Sequence, residues 1–177
     1  MLLFSRLSTQ PRASFDMGHY GTALICKNGH LISANSEILK QKDSYCQDCG
    51  AEIISVCDKC NEPIRGKFLS SLHVNATTPY NYVPSHCPYC GFAYPWMQRL
   101  LDKTKRLIDL EESLSEQEKL DLYESAKGIM TESVSSAVNA SIFKILINKA
   151  GGFVRDSLYQ LAIDVASETA KKIILRE

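Results

Sequence analysis

Seven cysteines crowd into the stretch from Cys26 to Cys90, and six of them stand in C-x-x-C pairs: Cys46/Cys49, Cys57/Cys60 and Cys87/Cys90. The seventh, Cys26, opens the run Cys26-Lys-Asn-Gly-His30. An odd count leaves one thiol over in any disulfide scheme, and tightly spaced pairs suit a metal better than a disulfide framework. A two-residue gap lets both sulfurs of one turn face a single ion. Gly29, Gly50 and Gly91 stand where so tight a turn calls for a positive φ.

Four ligand pairs make eight donors, enough to close two tetrahedral sites with no position left open for a substrate water. The expected ligands are Cys26, His30, Cys46, Cys49, Cys57, Cys60, Cys87 and Cys90. Zn2+ at two per chain is the expected cofactor, because iron–sulfur centres usually take four thiolates each and the Cys26/His30 pair departs from that pattern. A reducing cytoplasm follows from the need for thiolates. Two pairings are open. Sequential pairing joins Cys26, His30, Cys46 and Cys49 in one site and Cys57, Cys60, Cys87 and Cys90 in the other, whereas a cross-brace interleaves them. The short run AEIISV, able to carry the chain from one finished site to the next, and the place of the histidine in the first pair favour the sequential arrangement. His86 adjoins a complete pair and reads as a surface neighbour. His19 and His73 have no partner at ligand spacing.

The chain changes grammar near Trp96. Before it, short β-prone runs (TALI, LIS, AEIISV, IRGKFL) alternate with turns; after it there is neither proline nor cysteine, and apolar residues recur at helical spacing. This predicts an α+β protein: a disordered leader over 1–16, a small β-rich double zinc ribbon over 17–95, and an α-helical domain over 96–177. Met17 is an alternative start. Pro95 suits a first helical position for a helix running to about Glu112. Ser115-Glu-Gln-Glu118 is a capping box opening a second helix. A third is expected over 132–150, ended by Gly151-Gly152, and a last over 153–175 with Val154, Leu158, Leu161, Ala162 and Val165 as its stripe. Glu111-Glu112 and Glu116–Glu118 read as an exposed acidic face. The runs Ile145-Leu146-Ile147 and Ile173-Ile174-Leu175 cover most of a helix circumference, more than three or four helices bury easily. They predict an interface to a protein partner or a second copy.

Charge narrows the function. Twenty basic and twenty acidic residues cancel over the chain. Residues 17–99 hold seven Lys/Arg against six Asp/Glu, and seven thiolates with two Zn2+ take this stretch to about −2. A surface that collects phosphates should be basic, so nucleic-acid binding, through a patch around Arg65, Lys67, Tyr80 and Tyr82, is the second choice. No apolar run reaches the length of a spanning helix. A helical effector touching membranes through IFKILINKAGG is a further alternative. With no open metal position and no Ser/His/Asp grouping or phosphate loop, an enzyme is not expected.

The segments GTALICKNGHLI, YCQDCGAEII, CDKCNEPIRG and HCPYCGFAYPW, with the closing DVASETAKKII, resemble an uncharacterised bacterial zinc-ribbon family catalogued as domain of unknown function 2321. The resemblance covers most of the chain after Met17. It implies a bacterial, cytoplasmic protein with a zinc-ribbon N-terminal half, and it implies no known activity. The function expected from residues and resemblance together is that of a non-enzymatic adaptor with two structural zinc sites.

Overall fold

The computed structural model of the chain describes residues 18–37, 43–69, 81–131, 135–166 and 168–175. Two compact units divide it, Met1–Val83 and Pro84–Glu177. The first holds five short strands: β1 (His19–Thr22), β2 (Leu24–Cys26), β3 (Leu31–Ser33), β4 (Ile53–Ile54) and β5 (Arg65–Leu69). They pair antiparallel in two small sheets, β1 with β5 and the row β3-β2-β4. Few apolar side chains are buried here: Ala23, Ile25, Ile54 and Ile64, beside Cys26, Cys46 and Cys57. Gly66 is demanded by contact, since a Cβ there would lie 2.1 Å from the carbonyl oxygen of Ala34.

The second unit carries five helices: α1 (Pro95–Asp109), α2 (Glu116–Met130), α3 (Ser136–Ile147), α4 (Gly152–Val165) and α5 (Glu168–Leu175). Pro95 does open α1, where its missing N–H is no loss. The capping box at Ser115 is complete, with the Ser115 hydroxyl accepting the Glu118 N–H and the Glu118 carboxylate accepting the Ser115 N–H. The core is self-contained within the helices, from Ile108 on α1 through Leu122, Ile129, Phe143 and Leu158 to Ile174 on α5. Residues 132–134, the expected start of the third helix, lie outside the described residues.

Two expectations need correction. The last helix is two helices, because Ala166 takes an extended backbone (φ −73°, ψ 151°). The buried residues Val154, Leu158, Ala162, Ala166, Ala170 and Ile174 explain the break, since they recur every four residues. A helix of about 3.6 residues per turn drifts about 40° at each such step, so one straight rod cannot keep all six on one face. Glu111, in turn, is not on an exposed acidic face. It is buried in the α1–α2 connection, where its carboxylate accepts the N–H and hydroxyl of Ser113 and the N–H of Gly151. Those hydrogen bonds, the Ser113 hydroxyl first, hold its pKa below the usual carboxylate value.

Glu118 fastens α2 to the end of α3 through an ion pair with Lys149 at 2.7 Å. That pair, followed by the N–H and hydroxyl of Ser115, lowers its pKa from 4.5 to about 2. A carboxylate depressed on folding contributes stability that is full above its unfolded pKa and is lost as pH falls toward the folded one. Glu118→Gln is therefore expected to lower the Tm of the helical signal at pH 7, with the gap to wild type closing between about pH 4.5 and 2. A gap of constant size down to pH 2 speaks against the charge as its cause.

Candidate metal centres

Three of the four ligand pairs sit on one repeated piece of backbone. In each, the N–H of the first cysteine bonds the carbonyl five residues on: Cys46 to Ala51, Cys57 to Glu62, Cys87 to Phe92. The carbonyl of the same cysteine accepts the N–H four residues on, from Gly50, Asn61 and Gly91, at 2.8, 2.8 and 2.9 Å. These turns close only if the residue after the second cysteine has a positive φ, and the three angles are 66°, 59° and 70°. Glycine supplies it twice at no steric cost, and asparagine tolerates it in the third. A bridge flanks each turn, Tyr45 with Glu52, Val56 with Pro63 and His86 with Ala93. Behind each bridge a serine carbonyl accepts an N–H: Ser44 from Ile53, Ser55 from Ile64 and Ser85 from Tyr94.

This is a ten-residue internal repeat, S-x-C-x-x-C-[G/N]-x-x-[I/Y], printed three times at Ser44, Ser55 and Ser85. Reading the cysteines alone had passed over it, although the serines and the closing apolar residue were in plain view. The Cys26/His30 turn is built differently: Gly29, at φ 92°, donates to the Cys26 carbonyl, and the His30 N–H bonds the Cys26 sulfur at 3.2 Å. Lys27 holds this turn beside β4 through its N–H to the Glu52 carbonyl at 2.8 Å and an ion pair with the Glu52 carboxylate.

The eight expected ligands gather in two groups, Cys26/His30/Cys46/Cys49 and Cys57/Cys60/Cys87/Cys90, with the donor atoms of each group within 4.8 Å of one another. The grouping is the sequential one, not the cross-brace. Spacing supports a tetrahedral ion. Metal–sulfur bonds of about 2.3 Å and a metal–nitrogen bond of about 2.0–2.1 Å place two sulfurs about 3.8 Å apart and a sulfur–nitrogen pair about 3.6 Å apart. Cys26 Sγ lies 3.7 Å from Cys49 Sγ, and Cys46 Sγ lies 3.5 Å from His30 Nδ1. None of the seven cysteines forms a disulfide. The donor set and its geometry thus fit a closed metal site at each group.

The surroundings of the first group sort its protons. The Ala51 N–H, with help from Asn28, Cys46 and Cys26, brings the Cys49 thiol down from 9.0 to about 6. Burial pushes the Cys26 thiol up. Hydrogen bonding to Cys46 and then Cys49 raises the His30 imidazole. An ion entering this group needs its cysteines as thiolates, which ties its binding to pH.

His86 is half-buried beside the last turn, its Nδ1 3.0 Å from the Ser85 hydroxyl, and it takes no place in either group. His19 is an exposed strand residue; His73 and Tyr80 lie outside the described residues. Of the basic and aromatic residues around β5, Arg65 stacks over the ring of Tyr20 at 4.5 Å, and Tyr20 meets Phe68 edge-on. No helix among the described residues is long and apolar enough to cross a membrane. No curated protein and no solved structure matches the chain. A family of uncharacterised proteins conserved in bacteria, domain of unknown function 2321, matches residues 19–174 and takes in both metal-ligand groups, and the chain belongs to that family.

Proposed function

We propose that the chain is a cytoplasmic zinc protein without catalytic activity, whose two ions are structural and whose helical part makes the contact with another protein molecule. One observation supports the reading: the eight donors fall into two sets of four, and a tetrahedral ion on such a set would keep no position for substrate. The imidazole in the first set favours zinc over an iron–sulfur cluster, and neither set includes a carboxylate that would invite a harder cation.

Elemental analysis of the purified protein is expected to return two zinc per chain with no visible absorption; iron, or a value near one, overturns the assignment. Cys46→Ser is expected to release the ion held with Cys26, His30 and Cys49, leaving about one zinc per chain on the second set. Loss of both ions in that variant means the two centres are not independent. The interaction half of the reading is tested by affinity capture from the native host with the metal-loaded chain as bait, and it fails when neither a partner protein nor a second copy is retained.

A further inference from the structure

Among the described residues, every exposed position of α3 is uncharged: Ala137, Val138, Ser141, Ile142 and Ile145. Each of the other helices exposes charge, such as Arg99 and Lys103 on α1, Glu124 on α2, Arg155 on α4 and Lys172 on α5. The charged residue that α3 does carry, Lys144, reaches the Ile173 carbonyl at 3.4 Å. Val138, Ile142 and Ile145 follow one another at helical spacing and are 60, 38 and 63% exposed. Beside this ridge runs a groove toward α2 of about 700 Å3, with Ser125, Gly128 and Asn139 in its lining and the charged Asp121, Glu124 and Lys127 of α2 there too. At Gly128 the two helices come so close that a Cβ would lie 2.0 Å from Asn139 Nδ2.

Charge decides what can cover such a face. An occupant that centres a charged side chain on the ridge of Val138, Ile142 and Ile145, away from Asp121, Glu124 and Lys127 in the groove, buries it without a partner, at high cost. The occupant must offer a neutral, helix-long row with a small side chain at its centre, where Ile142 is large. A second α3, laid antiparallel about a two-fold axis between Ser141 and Ile142, meets both conditions. Val138 then stands opposite Ile145 of the other copy, and Ser141 opposite Ile142. The Ser141 hydroxyl already donates to the Ala137 carbonyl at 3.0 Å, so it asks for no new hydrogen bond on burial. A face that is its own complement is what a closed two-fold interface requires.

We propose that α3 is the core of a homodimer formed by this antiparallel pairing. The proposal rests on reading the helical part as the interaction half of the protein, and it names the partner as a second copy. One face of a twelve-residue helix is small beside the roughly 800 Å2 per partner of a standard interface, so association in the micromolar range is expected.

Sedimentation of the full-length, metal-loaded chain from low micromolar to near-millimolar concentration tests this. Wild type is expected to pass from monomer to dimer. Ser141→Glu and Ser141→Lys each place like charges across the axis and should each weaken association at least tenfold, with helix content and metal content unchanged. Mixed in equal amounts, the two variants should dimerise again. Wild type that stays monomeric throughout, single variants that associate like wild type, or a mixture that stays monomeric each overturn the pairing. If the pairing fails while host capture still retains a partner protein, only this inference is lost. If capture is also empty, the interaction reading goes with it.

Discussion

Removing metal with a strong chelator at neutral pH is expected to unfold the β-rich unit while leaving most of the helical signal in place. The helical core runs from Ile108 to Ile174 and contains no cysteine. The β unit is different: among its described residues the buried apolar side chains are three isoleucines and one alanine, and the remaining buried hydrophobic positions are cysteines of the two candidate ligand groups. Units with so little core depend on an added cross-link, and structural zinc supplies about 10–16 kcal/mol in small peptide folds. The prediction is read by amide NMR. Resonances of residues 19–69 should collapse on chelation and return with zinc, while those of α2 to α5 keep their dispersion. Dispersed resonances for β1 to β5 in metal-free protein would falsify it.

Truncating the centre of the helical core is expected to have the second-largest effect. Phe143 is 1% exposed and lies in the same cluster as Leu122, Ile129, Leu158 and Ile174. Phe143→Ala leaves a cavity there at a cost of about 3–5 kcal/mol. For a unit of this size each kcal/mol moves Tm by about 4–8 °C, so a fall of more than about 12 °C is expected, with zinc content unchanged. Ile145→Ala, on the same helix but 63% exposed, should stay within about 0.5 kcal/mol of wild type. Equal losses at the two positions contradict the assignment of faces on α3.

That contrast shows how far the sequence could be read. Ile145, Leu146 and Ile147 look alike in a row, and their excess over one stripe was visible. Which of them faces outward was not, because it depends on where α2 and α5 press against α3. Leu146 and Ile147 are buried, and Ile145 is the exposed one. The same holds for Glu111: an acid beside another acid reads as solvated surface, and nothing local announces that Ser113 and Gly151 will satisfy it in the interior. The two candidate ligand groups were readable because a C-x-x-C turn is complete within a few residues, and so was the capping box at Ser115. Asn61 was missed because asparagine fills a place where glycine is the usual signal. The break at Ala166 carries neither glycine nor proline, yet the strict spacing of four between buried residues was there to be measured.

The order of the ligands has a consequence for synthesis. Because the first set closes with Cys49 and the second does not begin until Cys57, the two sets do not interleave along the chain. A chain emerging from a ribosome can therefore load its first ion before the second set is complete. A cross-braced order would leave five thiols waiting, Cys26, Cys46, Cys49, Cys57 and Cys60, before its first set closed at Cys60. Metal capture in this order can be vectorial: with each set loaded as it closes, the thiols waiting at any moment never exceed one set.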